Sequence, residues 1–90
     1  MRRASTIRHD LIGLKIRVLE YPDRKLVGLE GVVVDETLKT ILVETADGRR
    51  VRVFKFNGLF EFTMPSGETI VIKGWKIVGR PWERLKSALR

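Results

Sequence analysis

Apolar and polar residues alternate along most of this 90-residue chain. In Lys15–Tyr21, Ile16 and Val18 fall on one side of an extended backbone, as expected for a half-buried strand. Turns that contain Gly or Pro separate this segment from others with the same two-residue period. The pattern predicts about six short antiparallel strands in a small all-β barrel. The later strands are predicted to place three further pairs in the core: Ile41 and Val43, Phe60 and Phe62, and Ile70 and Ile72.

The segment Leu26–Glu36 replaces this alternation with a nearly continuous run of apolar and β-branched residues. Branched side chains pack well on a pleated surface, so the run predicts a strand. Gly28 and Gly31 lie three positions apart, and glycines inside a strand are typical of a bend or a bulge. We predict a long strand that bends at these glycines and belongs to both walls of a closed barrel.

A second irregularity lies in residues 49–56, RRVRVFKF. Val51 and Val53 fall on one face of this strand, whereas Phe54 and Phe56 fall in register with the arginines on the other face. A single flat strand cannot bury both sets. We therefore predict a kink near positions 53 and 54 that returns the phenylalanines to the core.

The two ends of the chain differ from its strand-forming middle. Residues 1–7 are expected to be flexible, and Ile7–Leu14 has the apolar spacing of a short helix. Trp75–Val78 is predicted to form a short final strand. Pro81 suits the first turn of a helix, so residues 80–90 are predicted to form a terminal helix. The length is that of one domain spanning the whole sequence.

Composition limits the compartment and the available chemistry. The chain has no cysteine, which excludes disulfides and thiolate metal sites. No apolar run approaches the ~18 residues of a membrane span, and the N-terminus has no apolar stretch typical of a signal peptide. We expect a soluble cytoplasmic protein that does not associate with a membrane.

The net charge of +7 is distributed unevenly. Residues 49–55 carry four basic and no acidic side chains, and residues 73–90 carry six basic and one acidic. Residues 10–48, in contrast, have a net charge of −3. Clustered cations indicate a polyanionic partner more than they indicate general solubility.

The basic strands offer a candidate phosphate-binding surface. Arg50 and Arg52 share one outward face of their predicted strand, and Lys15 and Arg17 share the outward face of another. The planar donor fork of arginine is suited to phosphate oxygens. An ordinary solvated strand face would show the same pattern, so charge alone favours binding without establishing it.

No catalytic constellation is found in the sequence. His9 is the single histidine and there is no cysteine, so neither a Ser–His–Asp nor a Cys–His set is supported. Asp35 and Glu36 are adjacent, but neighbouring strand residues point to opposite faces and would not converge on one ion. The aromatic residues show no pattern for reading bases. We predict a chain with no catalytic residue, metal or cofactor of its own, which recognises the backbone and shape of a structured RNA.

Several short motifs occur in an order that resembles a known family. They are Leu-Ile-Gly-Leu at 11–14, a glycine and valine series from Gly28 to Thr37, Lys55, Phe60 and Phe62, Gly74, and Arg80, Pro81 and Arg84. Together they cover about residues 8–84 and resemble the archaeal ribonuclease P protein component 1 family. Trp82 replaces in part the acidic residue usual in the last motif, which is therefore approximate.

The resemblance implies an Sm-like barrel of about six antiparallel strands with short N- and C-terminal helices. It also implies a protein subunit of ribonuclease P, a ribonucleoprotein whose RNA removes 5′ leaders from precursor tRNA. The expected partners are the ribonuclease P RNA, precursor tRNA and a zinc-ribbon protein subunit. Mg²⁺ is expected to serve the RNA and not to be bound by this chain.

Two sets of contact residues are predicted. The RNA-binding set consists of Lys15, Arg17, Arg50, Arg52, Lys55, Lys76, Arg80 and Arg84. The resemblance contributes Lys55, Arg80 and Arg84, and the charge pattern contributes the others. The resemblance also places a protein-partner surface on the bent strand and the termini, at Leu26, Val27, Leu29 and Val33.

Other classes of protein stay open on sequence alone. The main alternative is a ribosomal or translation-associated RNA-binding protein with an SH3-like barrel. A DNA-compacting chromatin protein is a second alternative. An autonomous nuclease is disfavoured because the sequence holds no catalytic set.

Overall fold

Residues 11–79 are described in the computed structural model, and they form one antiparallel sheet of six strands. The strands are β1 (Lys15–Glu20), β2 (Glu30–Glu36), β3 (Thr40–Glu44), β4 (Arg50–Phe54), β5 (Leu59–Thr63) and β6 (Thr69–Lys73). Their order across the sheet is β4-β3-β2-β1-β5-β6. The prediction of an all-β protein with about six antiparallel strands is confirmed.

Alternate positions on the strands supply a single core. Ile16 on β1 is in register with Phe62 on β5, and Ile41 on β3 is in register with Val53 on β4. Burying an aliphatic or aromatic side chain of this size contributes roughly 1.5–3 kcal/mol. The predicted inward pairs are buried, except that Ile70 is half-buried against the core. The buried cluster within the described residues is Leu11, Ile16, Val18, Val33, Ile41, Val43, Val53, Phe60, Phe62, Ile72 and Ile77.

The predicted long strand Leu26–Glu36 is shorter than expected, because β2 begins at Glu30. Before it, Arg24–Leu26 forms a 3₁₀ turn, and Gly28 follows with a φ of +91°, a conformation that favours glycine. Inside the strand, Gly31 lies against β3, where a Cβ would be 2.2 Å from the Glu44 carbonyl oxygen. The register with β3 shifts further along, between positions 33 and 35. The glycines therefore form a turn and a close contact, while a bulge supplies the irregularity in the strand.

The predicted kink in β4 is wrong. The pairing of β3 with β4 runs from Thr40 opposite Phe54 to Glu44 opposite Arg50 without a shift in register. Inward and outward positions continue to alternate beyond the strand, so Phe54 and Phe56 point outward, with 56% and 67% of their surfaces exposed. The prediction failed because it assumed that a core position is filled by phenylalanine in preference to lysine. The inward position between them belongs instead to Lys55, which is buried.

Strand pairing does not close the barrel, since β4 and β6 are the two edges of the sheet. The end of β4 is nevertheless tied to its surroundings. The Phe54 N–H donates to the Tyr21 hydroxyl at 2.9 Å, and the Gly58 N–H donates to the Lys55 carbonyl at 3.2 Å. The Gly74 N–H in turn donates to the Gly58 carbonyl at 2.8 Å. The sheet therefore curves into a barrel-like shape whose edges meet at one end.

The segment after β6 does not form the predicted strand. Gly74–Ile77 is a 3₁₀ turn, and it returns Ile77 to the core. Gly74 lies so close to Lys55 that a Cβ would be 1.5 Å from the Lys55 carbonyl oxygen, which explains why this position is a glycine. Of the predicted N-terminal helix, residues 11–14 are described and form a turn. The rest of that predicted helix, the predicted flexible segment 1–7 and the predicted helix at 80–90 lie outside the described residues.

Candidate nucleic-acid interface

Lys55 belongs to the core and not to the surface. Its side chain is fully buried, and its Nζ donates to Glu36 Oε2 at 2.7 Å, to the Thr37 carbonyl at 2.8 Å and to the Ile77 carbonyl at 3.2 Å. A phosphate could reach this ammonium only if the core opened. The prediction of Lys55 as an RNA contact is therefore corrected, because the fold uses its charge internally.

The buried pair of Lys55 and Glu36 joins the two ends of the described chain. Glu36 Oε1 accepts a hydrogen bond from the Leu11 N–H at 2.9 Å, at the start of the described residues. Near the end of the described residues, Lys55 Nζ donates a hydrogen bond to the Ile77 carbonyl. Removing one member of a buried ion pair leaves an uncompensated charge, which costs about 3–5 kcal/mol. The pair thus fixes where the chain enters and leaves the sheet.

Arg17 and Arg50 are exposed, and each is paired with a carboxylate on the neighbouring strand. Arg17 Nε lies 3.0 Å from Glu30 Oε2, and Arg50 Nε lies 3.1 Å from Glu44 Oε2. Exposed pairs of this kind contribute only about 0–1 kcal/mol to stability. An RNA phosphate could therefore replace either carboxylate as the partner at small cost.

Three other predicted contacts are exposed and form no ion pair within residues 11–79. Arg52 Nη1 donates to the Thr40 hydroxyl at 2.9 Å, which orients its guanidinium along β4. The Lys76 ammonium lies 5.6 Å from the centre of the Trp75 ring, a cation–π distance. Lys15 lies on the outer face of β1. Arg80 and Arg84 lie outside the described residues.

The outer face of the central strands mixes both signs of charge. Register pairs Lys15 with Val32, Val32 with Glu44, and Glu44 with Arg50. An open groove on this face has a volume of about 480 Å³, and its charged lining residues are Lys15, Arg17, Glu30, Glu44 and Glu61. The sheet therefore places Lys15, Arg17 and Arg50 on one outer face, but among carboxylates that weaken their attraction for an anion.

The predicted protein-partner surface is not a single face. Val33 is buried in the core, so its assignment to a surface is corrected: β2 turns this side chain inward at an alternate position. Leu26 and Leu29 are half-buried and pack against the core. Of the four residues, Val27 is the one that is largely exposed.

Sequence reasoning admitted base stacking by Phe56 but favoured the core for both Phe54 and Phe56, so it did not predict the aromatic surface at the end of β4. Phe54 and Phe56 line one cleft with Lys39, Asn57 and Val78. The signal was present in the sequence, because an unbroken two-residue period places both rings outward.

Residues 11–79 account for only a small part of the net charge. They contain eleven Lys and Arg and nine Asp and Glu, so they supply +2 of the total of +7. The larger part of the excess belongs to residues 1–10 and 80–90. The described fold therefore supplies the strands that carry exposed cations, and the two ends supply most of the net positive charge.

The described residues contain neither a cluster of candidate metal ligands nor a candidate membrane-spanning helix. No group of three or more His, Asp or Glu side chains in residues 11–79 is placed to hold a metal ion. In the same range, no helix has the length and apolar character to span a bilayer. The curved sheet and its exposed cations define a small β-sheet protein of the RNA-binding class.

Comparison with known proteins identifies the family. The family model for ribonuclease P/MRP, subunit p29, matches residues 4–87. A ribonuclease P protein component 1 from Desulfurococcus amylolyticus is 63% identical over 82 residues, 91% of this chain and 89% of that protein. One from Staphylothermus marinus is 54% identical over 88 residues, 98% of this chain and 96% of that protein. The chain therefore belongs to the ribonuclease P/MRP p29 family.

A solved structure supports the same assignment. It is the structure of a homologue of the human RNase P protein Rpp29, with a TM-score of 0.62 and 44% sequence identity. The alignment covers 86% of this chain and 99% of that one. The resemblance seen in the sequence motifs is confirmed, and the alternative of a ribosomal protein is not favoured.

Proposed function

We propose that this chain acts in ribonuclease P as an RNA-binding protein subunit that assists removal of 5′ leaders from precursor tRNA. The family match over residues 4–87 carries the proposal. The charge supports it, since a net charge of +7 suits a protein that lies against RNA. Cations placed between the catalytic RNA and precursor tRNA would screen the repulsion between their phosphates.

The chemistry of cleavage is assigned to the RNA and its Mg²⁺ ions. The role of this chain is to lower the concentration of Mg²⁺ that RNA folding and substrate binding require. We place it in the cytoplasm with a zinc-ribbon protein subunit as its partner. The support for a partner surface near Val27 is that its side chain is exposed next to the half-buried Leu26 and Leu29.

Reconstitution tests this function. Ribonuclease P RNA is assayed for leader cleavage over a range of Mg²⁺ concentrations, with and without this chain and its partner subunits. The midpoint of the Mg²⁺ dependence should fall when the protein is present. An unchanged midpoint together with tight binding to ribosomal RNA would contradict the proposal. Cleavage by the protein alone would contradict the assignment of catalysis to RNA.

A further inference from the structure

Two exposed aromatic side chains line one cleft at the end of β4, which is an edge strand of the sheet formed by residues 11–79. Phe54 is the last residue of β4 and Phe56 follows two positions later, and more than half of each side chain is exposed. Both line the same cleft, whose other lining residues are Lys39, Asn57 and Val78. Two large rings held at a surface leave their faces open to a planar ligand.

Two cations that form no ion pair within the described part of the chain lie near these rings. Lys39 lines the cleft itself, and Arg52 lies two positions before Phe54 on the same outward face. One of the five N–H donors of the Arg52 guanidinium donates to the hydroxyl of Thr40, which is the residue opposite Phe54 on β3. Among residues 11–79, no carboxylate lines this cleft, in contrast to the mixed groove over β1. The charge therefore favours an anionic occupant.

Phe54 offers no free backbone donor to an added protein strand. Such a strand would use the backbone N–H groups of β4, but the Phe54 N–H already donates to the Tyr21 hydroxyl. At this end of β4, recognition by side chains is therefore favoured. Rings for stacking and cations for phosphates are the combination that binds unpaired nucleotides.

We propose that Phe54, Phe56, Lys39 and Arg52 form a binding site for an unpaired segment of RNA. The bases stack on the two rings, and the flanking phosphates bind Lys39 and Arg52. The proposal rests on the function proposed above and specifies the form of RNA that this surface takes. In a duplex the base faces are already stacked on one another, so a duplex cannot use the rings.

The test compares two probes with the full-length protein. One is a fluorescent 12-nucleotide oligouridine, which is single-stranded, and the other is a 12-base-pair RNA duplex. Phe54→Ala and Phe56→Ala should each weaken binding of the single strand about five- to one-hundred-fold, the range for loss of one stacked base. Binding of the duplex should change less than twofold. Phe54→Trp should preserve single-strand binding, whereas Phe54→Leu should not.

Trp75→Ala provides the matched control, because Trp75 is also about half exposed but lines a different groove. Its single-strand affinity should stay within twofold of the wild type. Lys39→Gln and Arg52→Gln should each reduce the salt dependence of single-strand binding by about one ion. Circular dichroism and thermal melting confirm that each variant is folded, and the Leu and Trp variants keep the test valid if Phe54→Ala does not fold.

The outcomes separate this inference from the function on which it rests. Failure of the wild-type protein to bind ribonuclease P RNA would overturn both. Wild-type binding to that RNA, with equal losses for the single strand and the duplex or no loss for either, would overturn the stacking site alone. Loss of binding to the zinc-ribbon subunit with unchanged RNA affinity would reassign the surface to a protein.

Discussion

Lys55 and Glu36 form an ion pair inside the protein, with 2.7 Å between Nζ and Oε2 and side chains that are 0% and 3% exposed. The lysine is one of the motif positions that connect this chain with its family. Its place in the core shows that a lysine within a basic segment can serve the fold. The basic residues that meet solvent lie elsewhere on the sheet.

Lys55→Met is expected to lower the free energy of unfolding by about 3–5 kcal/mol, because the buried Glu36 carboxylate would lose the ammonium that lies 2.7 Å from it. Domains of this kind are stable by only about 5–15 kcal/mol, so the loss is a large fraction of the total. Urea unfolding followed by circular dichroism measures it. Lys15→Met, at an exposed position, should change stability by no more than about 0.5 kcal/mol. Unchanged stability with weakened RNA binding would return Lys55 to the RNA-contact set.

Gly31→Ala should destabilise the sheet by about 1–3 kcal/mol, since the added Cβ would meet the Glu44 carbonyl oxygen at 2.2 Å. The obstacle is backbone, so the two strands must move apart. Val32→Ala tests the neighbouring position, where the side chain is exposed and the expected change is smaller. Equal melting temperatures for Gly31→Ala and the wild type would show that β2 and β3 are less closely paired than described.

Glu44→Gln is expected to tighten binding to ribonuclease P RNA by about two- to fivefold. The substitution removes a negative charge from the surface and frees the guanidinium of Arg50, and one charge at contact distance in water is worth about 1 kcal/mol. The affinity is measured at two salt concentrations, and the gain should shrink at the higher one. Glu68→Gln, in the turn between β5 and β6, is the control. An equal gain from both variants would indicate a general charge effect without a local role for Arg50.

Arg50→Ala and Arg52→Ala should each lower the salt dependence of RNA binding by about one ion, with little effect on stability. Arg50→Ala also leaves Glu44 without its partner, so its affinity should fall further than that of Arg52→Ala. Filter binding over a series of salt concentrations gives both slopes. Slopes identical to that of the wild type would place the RNA on another surface.

Asp47 is expected to titrate below the ordinary pKa of 3.8. The Thr45 hydroxyl donates a hydrogen bond to its carboxylate, and this is the largest cause of the lowered pKa, followed by the Arg49 backbone N–H. A lowered pKa in the folded state means that the contribution of Asp47 to stability is complete above the unfolded value and is lost as the pH falls through the folded value. An NMR titration measures the pKa. Thr45→Val should move it back toward the ordinary value, and no movement would show that another group sets it.

Most of the architecture followed from the sequence because strand formation depends on a local pattern. Period-two alternation identified Ile16 and Val18, and Phe60 and Phe62, as inward positions, and turns rich in glycine and proline marked the boundaries. The uneven charge indicated a polyanionic partner, and the order of the motifs indicated the family. These properties are visible along the chain because they depend on side-chain type and spacing alone.

What the sequence could not decide was which residues meet across the sheet. Lys55 has the same charge as its exposed neighbours, and only the approach of Glu36, Thr37 and Ile77 makes its burial favourable. With that inward position filled, Phe54 and Phe56 stay at the surface. The hydrophobic pattern of a sequence assigns each residue to the core or the surface by its own side chain. The free-energy cost of burying a charge depends instead on the partners that the tertiary fold brings to it.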